Sequence, residues 1–260
     1  MAVCADPGRG LAGAGAVGLS QRSEWWFTSF MAYRQTPAVR RRLDAARDRL
    51  VAEATDVVAE LGWAGASVGA VAAAAGIAAG SVYQHFPSKA ALAVEVFRRA
   101  SGREVEVIGA VLRDGGGDPV DRLARGVAVF ARRAMERRGL AYALLAAPAD
   151  PAVGAERLEF RRRYRALFAE VIAEGVTAGL LPAQHPEITA AALTGAIGEV
   201  LVDPLGDPLA AHDEGAADAL VAELTAMSLR CAGAAPAPSG TAPSGTATSD
   251  TATSTPRRPR

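Results

Sequence analysis

Apolar residues recur along most of this chain at spacings of three, four and seven, and no segment sustains the alternation of a strand. Leu43, Leu50, Val51, Ala54, Val57, Val58 and Leu61 form one stripe, which Gly62 ends. Phe160, Tyr164, Leu167, Phe168, Val171, Ile172 and Val176 form another, with Arg161, Arg162, Arg163, Glu170 and Glu174 assigned to other faces. Such a period commits a segment to an amphipathic helix. The pattern predicts helices over 38–61, 67–75, 79–85, 88–113, 118–138, 140–147, 152–179, 186–203 and 213–231, and hence an all-α fold. Pro119, Pro148, Pro151, Pro186 and Pro204 stand at or near the breaks. Proline lacks the N–H that a helix interior needs, so these are its natural places.

Both ends depart from this pattern. Residues 1–30 are rich in Gly and Ala and lack periodicity, whereas Met31 opens a more protein-like stretch. We expect Met31 to be the natural start and 1–30 to be an extension. Residues 232–260 are almost wholly Ala, Pro, Ser, Gly and Thr, a composition expected to stay disordered. Cys4 and Cys231 lie far apart, so no disulfide framework is expected. His85, His185 and His212 show no ligand spacing, and no metal or cofactor is expected. No apolar run reads as a membrane span, so a cytoplasmic protein without a membrane partner is expected.

Two enzyme-like motifs fail on context. Gly13-Ala14-Gly15-Ala16-Val17-Gly18 fits a dinucleotide fingerprint but follows no strand. Gly65-Ala66-Ser67-Val68-Gly69 fits a nucleophile elbow but follows a helix, so Ser67 reads as a helix cap. No catalytic residue is assigned, and an enzyme is not expected.

The formal net charge is zero, from 28 basic and 28 acidic residues, of which Lys89 is the one lysine. That total hides a separation: residues 31–101 carry a net +3 and residues 102–230 a net −5. The basic excess concentrates at Arg34, Arg40, Arg41, Arg42, Arg47 and Arg49. Arginines at a helix start oppose the macrodipole, so Arg40, Arg41 and Arg42 read either as a solvated face or as an arm that meets phosphate.

The block 67–92 explains what such an arm would serve. Ser67 can cap a short helix whose inward stripe is Val68, Val71, Ala72 and Ala75. Gly76 suits a left-handed turn, with Ile77 packing under it, and a second helix follows with Val82 and Phe86 inward. Pro87 stops that helix and Ser88 caps the next. Two short helices around a glycine turn make a helix-turn-helix, which presents its second helix to the DNA major groove. The outward residues there are Ala78, Ala79, Gly80, Ser81, Tyr83, Gln84 and His85. Gln84 can pair with adenine, and Ser81 can reach a base edge or a phosphate. Tyr83, His85 and Lys89 suit phosphate contacts, and Ser67 serves as a cap with or without a DNA contact.

The run Ala75-Gly76-Ile77-Ala78-Ala79-Gly80-Ser81-Val82-Tyr83-Gln84-His85-Phe86-Pro87-Ser88-Lys89, with Ser67 and Leu92, resembles the TetR family of transcriptional regulators. The likeness spans about 60 residues including the first helix. It departs from the usual pattern in its few base-reading side chains, Ala78 and Ala79 above all. The resemblance implies a helix-turn-helix domain at 31–87 and an effector-binding, dimer-forming domain at 88–231. It implies a homodimer bound to a palindromic double-stranded DNA operator, expected to be a repressor released by a small-molecule effector.

Large groups that can surround an effector are Phe130, Met135, Tyr142, Tyr164, Phe168 and Leu193, which suit an apolar or amphipathic molecule. Arg132 and Arg133 can join if it is anionic. For the dimer interface the apolar positions are Ile188, Ala192, Gly195 and Ala196, with Leu220, Leu224 and Met227 on the following helix. Leu193, Ile197, Val200 and Leu201 make a second stripe, and a helix apolar nearly all round is expected to be buried on several sides. The alternative function is a helical small-molecule-binding protein or enzyme without DNA binding.

Overall fold

The structure, a computed structural model, describes residues 36–147, 149–207 and 214–234. The 1–30 segment, Met31 and residues 235–260 lie outside them, so the start-site and tail expectations are not addressed there. The chain divides into two compact units, Met1–Ala45 and Ala46–Arg260. Of the first, residues 36–45 are described. There Thr36 accepts a hydrogen bond from Val39 N (3.3 Å) and caps a helix, and Arg40, Arg41 and Arg42 are exposed.

Nine helices make up the described residues, with no strand among them. They are α1 (Pro37–Gly65), α2 (Val68–Ala74), α3 (Ala79–Val82), α4 (Lys89–Arg113), α5 (Pro119–Glu136), α6 (Arg138–Leu145), α7 (Pro151–Thr177), α8 (Pro186–Gly206) and α9 (Glu214–Ala232). Their starts follow local chemistry. Ser88 accepts from Ala91 N (3.0 Å), Asp118 from Val120 and Asp121 N (2.8 and 2.9 Å), and Asp150 from Ala152 N (2.8 Å). Each bond satisfies a donor that a helix start otherwise leaves open. Pro119, Pro151 and Pro186 occupy first-turn positions. Gly62 breaks the regular helix of α1 with φ 64° and ψ 179°, as its place after Leu61 predicts.

Two boundaries differ from expectation at the C-terminal side. α8 continues through Pro204 to Gly206, and Arg138 Nη2 donates to the Pro204 carbonyl. α9 runs to Ala232, which is fully buried, and Gln184 Nε2 donates to the Ala232 carbonyl (2.8 Å). The helix thus ends one residue beyond the predicted 231.

In the second unit, α4, α5, α7 and α8 pack side by side, α9 lies on α5 and α8, and α6 lies on α8. Val127, Ala131, Ile108, Ile172, Val153, Ala190, Leu193 and Leu201 are wholly removed from solvent. The sequence boundary at 87/88 is crossed by direct contacts. Trp63 stacks at a tilt on Phe97 (6.4 Å), and Lys89 Nζ reaches the Trp63 carbonyl (3.3 Å). α8 is, by length and composition, apolar enough to cross a membrane, which the sequence reading missed. Its buried side, Leu193, Ile197, Leu201 and Leu205, packs against neighbouring helices.

Gly139 carries the tightest helix contact. A Cβ there would stand 2.1 Å from the Ala59 carbonyl oxygen, a backbone atom that cannot yield. Gly154, inside α7, has nothing within 4 Å of such an atom. Gly139→Ala should therefore destabilise by about 1–3 kcal/mol. Gly154→Ala should stabilise by up to about 1 kcal/mol, through helix propensity alone. Thermal unfolding of the two variants checks the pair of opposite signs.

Candidate DNA-binding surface and ligand cavity

Ser67 has extended backbone (φ −74°, ψ 158°), and its Oγ accepts from Ala70 N (3.1 Å) to start α2. Gly76 takes φ 67° and turns the chain, while Ile77 N donates back to the Ala72 carbonyl (3.0 Å). Only glycine adopts that φ without strain. Val71 and Ala72 on one helix, and Val82 and Phe86 after the turn, are at most 2 % exposed and lock the two helices together. α3 is one turn of α-helix, shorter than the predicted 79–85. The chain beyond it continues in turns, with His85 N on the Val82 carbonyl (3.0 Å).

The outward side matches expectation closely. Ala78, Ala79, Gly80, Tyr83 and Gln84 are exposed, and Ser81 and His85 are half-buried. Gly80 has ordinary helical placement, and a Cβ there would meet nothing within 4 Å. No contact within the chain requires glycine at that position. Its absent side chain lowers the profile of the surface toward whatever lies outside. Ile77 does not pack under the turn as expected; it is 40 % exposed.

Two cations are engaged differently from the sequence reading. Lys89 is exposed, yet its Nζ bonds the Trp63 carbonyl just past the Gly62 break. Arg47, read as part of a basic excess, is a structural clasp. Its Nη1 donates to the His85 carbonyl (3.0 Å), its guanidinium lies 4.3 Å from the Phe86 ring centre, and Nη2 stands 3.6 Å from Glu95. It ties α1 to the end of the helix-turn-helix and to α4. Spacing alone could not show this, because Arg47 lies 38 residues from His85.

Behind this surface, α4, α5, α6, α7 and α8 enclose a cavity of about 280 Å3. Its size is at the small end of ligand pockets, roughly 300–1,000 Å3. Phe130, Tyr164 and Phe168 line it, as expected. Phe130 meets Tyr164 edge-on at 5.5 Å. Burial foremost, then the Glu104 charge, raises the Tyr164 hydroxyl above its ordinary range, so it stays protonated. Met135, Tyr142 and Leu193 do not line the cavity. Leu193 is wholly within the core, and Tyr142 turns toward Gly206 on α8. Arg133 does line it, held by Glu104 through two bonds of 2.7 Å, whereas Arg132 is exposed and does not. Arg161, placed on another face by the sequence pattern, lines the cavity with Arg157.

One wall of the cavity also holds the end of α1. Leu140, Ala141, Leu144 and Leu145 of α6 face the cavity. On the same helix, Gly139 abuts α1, and the Ala143 carbonyl accepts from Trp63 Nε1 (2.8 Å) and Arg157 Nη2 (3.1 Å). Trp63 was not among the sequence candidates.

On α8, Ile188 is 68 % and Val200 41 % exposed, Ala192 is exposed, and Gly195 and Ala196 are half-buried. On α9, Leu220 and Met227 are half-buried. Leu224 is 2 % exposed within the single chain, which removes it from any external face.

Arg47→Ala should lower stability by about 1–2 kcal/mol, having lost a charge-assisted bond and a cation–π contact. Arg49→Ala, two residues on and exposed, should change it by under about 0.5 kcal/mol. Urea unfolding of both distinguishes a clasp from a solvated charge.

Comparison with known proteins agrees with this architecture. Residues 50–96 match the family described as bacterial regulatory proteins, tetR family, and residues 116–201 match the tetracyclin repressor-like C-terminal domain. Together they span more than half of the 260 residues. No curated protein matches the sequence. Among solved structures, the fatty acid degradation regulator FadR of Bacillus halodurans is 22% identical, with TM-score 0.60 over 70% of this chain and 97% of its own. A transcriptional regulator from Rhodococcus sp. RHA1 is 25% identical, with TM-score 0.57 over 73% and 99%. FadR of Bacillus subtilis, in complex with stearoyl-CoA, is 17% identical, with TM-score 0.60 over 70% and 96%. With the helix-turn-helix and the helical ligand-domain fold both matched, the chain belongs to the TetR family of DNA-binding transcriptional regulators.

Proposed function

We propose that this protein is a homodimeric repressor that leaves a palindromic operator when a small effector fills the cavity. The observation that carries the DNA reading is the low, open surface at Ala78, Ala79 and Gly80, beside exposed Tyr83 and Gln84. No described residue crowds Gly80, so its missing side chain leaves room for the close approach of a groove.

Gln84 is the reader of a base edge, with Ser81 reaching a base or phosphate. Tyr83, His85 and the exposed arginines Arg40, Arg41 and Arg42 contact phosphates. Lys89 adds charge nearby while holding Trp63. Ser67 caps α2 and can also reach a phosphate. The exposed face of Ile188, Ala192, Gly195 and Ala196, with Leu220 and Met227 at its margin, supplies the dimer contact. A two-fold contact of this kind gives two recognition surfaces and so a palindromic site. The effector is apolar or amphipathic, and the protein acts in the cytoplasm.

DNA selected from the genome by the purified protein supplies the operator for a test. Gln84→Ala should cost about 1–3 kcal/mol at one base position of each half-site and leave the others unchanged. Replacing Arg40, Arg41 and Arg42 with Ala should weaken binding to all sequences alike and flatten the salt dependence. Unchanged specificity with Gln84→Ala would remove it as a reader. Failure to select any sequence would remove the DNA function.

A further inference from the structure

We propose that the effector is an amphipathic anion, its head group held by Arg157 and Arg161 and its apolar body lying along Tyr164 and Phe168. The proposal rests on the cavity being the effector site. It starts from the geometry of α7. Arg157, Arg161, Tyr164 and Phe168 follow one another at helical spacings of four, three and four, and all line the cavity. At about 1.5 Å of rise per residue, Arg161 and Phe168 stand roughly 10 Å apart along the axis. One stripe of one helix therefore offers cations at one end and aromatic surface at the other.

The charges along the lining are uneven. Arg133 is neutralised by Glu104, and Arg137 stands 3.5 Å from Asp56. Among the described residues, Arg157 has no carboxylate partner. Its Nε donates to the Leu144 carbonyl (2.8 Å), and its Nη2 to Ala143 and Ala147 (3.1 and 2.9 Å), which leaves Nη1 out of these bonds. Arg161 makes no hydrogen bond or ion pair with a described residue. Burial first, and then the Arg161 charge, lower the Arg157 guanidinium below its usual range, so the two are close enough to repel. Glu199 is the remaining acid on the lining; it is exposed and forms no ion pair. Two guanidiniums without acids, beside an apolar cavity, are the complement of a planar or tetrahedral anion with a hydrocarbon body.

The head group also lies where it can act. Arg157 shares the Ala143 carbonyl with Trp63. An anion that draws Arg157 toward the cavity changes the seat of the Trp63 indole, and through it the position of α1.

The test uses four probes with one apolar body: decanoate, decyl phosphate, decanol and decyltrimethylammonium, titrated calorimetrically into the full chain. Decanoate or decyl phosphate should bind at least tenfold tighter than decanol and the cation, and the tighter of the two anions names the head group. Arg161→Gln should weaken the better anion at least fivefold and leave decanol unchanged, and Arg161→Lys should retain most of the binding. Glu199→Gln should strengthen anion binding. Because Arg161 is exposed, these variants do not disturb the core. Thr194→Phe, which fills the cavity, should abolish binding of every probe. Decanol binding as tightly as the anions, or Arg161→Gln weakening both alike, overturns the anion proposal and leaves the cavity as effector site. Binding that survives Thr194→Phe, or no binding of any probe, overturns both.

Discussion

The carbonyl end of α6 is where this structure is held together. A helix leaves its last four carbonyls without intrahelical donors, and α6 is only eight residues long. Trp63 supplies one donor from the DNA-binding side, and Arg157 supplies three bonds from the ligand-domain side. A guanidinium at that position also complements the negative end of the helix. Trp63 is buried against Phe97, which stacks edge-on against Phe160 at 5.7 Å. Replacing a buried tryptophan typically costs about 3–5 kcal/mol, so this contact is among the larger single terms in a protein stable by about 5–15 kcal/mol. The Gly139 approach to Ala59 fixes the other end of α6 against α1 at backbone distance.

It follows that one element, α6, forms part of the cavity wall and holds the end of α1, which Arg47 ties to the helix-turn-helix. A ligand shifts a conformational equilibrium only by the difference in its affinity for the two states. Here that difference need not be large. One hydrogen bond of the Trp63–Ala143 kind is worth about 1 kcal/mol net, within the 1–3 kcal/mol usual for coupled sites. Packed interfaces with a backbone contact as close as that at Gly139 do not deform gradually, so α6 and this part of α1 are held in register.

How much of this the sequence disclosed follows from the range of each signal. Helix starts were legible because their determinants are local: Ser67, Ser88, Asp118 and Asp150 cap within two or three residues. The recognition turn was legible because Gly76 needs a positive φ and Val82 and Phe86 repeat at helical spacing. Cavity membership was not. α7 and α8 bury residues on more than one side, so an apolar stripe does not say which neighbour it meets. Leu193 therefore went to the core and Arg161 to the cavity. Arg47 was misread for the same reason, because its partners His85, Phe86 and Glu95 are remote in sequence.

The pairing of charges between helices gives the exposed arginine of the cavity its meaning. α4 and α7 are joined by Arg98 with Glu156 (2.7 Å) and by Arg113 with Glu170 (3.0 Å). α5 is joined to α4 by Arg133 with Glu104, and to α7 by Arg122 with Glu174. The exposed Arg113–Glu170 pair contributes little to stability, a few tenths to about 1 kcal/mol, while Arg122, Arg133 and Glu104 are partly buried. The four pairs do set which faces of the helices can meet without leaving like charges opposed. Unlike these four cations, Arg161 faces the cavity with no acid paired to it among the described residues. Its place beside Arg157, Tyr164 and Phe168 keeps an exposed positive charge at the edge of a largely hydrocarbon-lined space. That arrangement selects against neutral and cationic guests and in favour of anions.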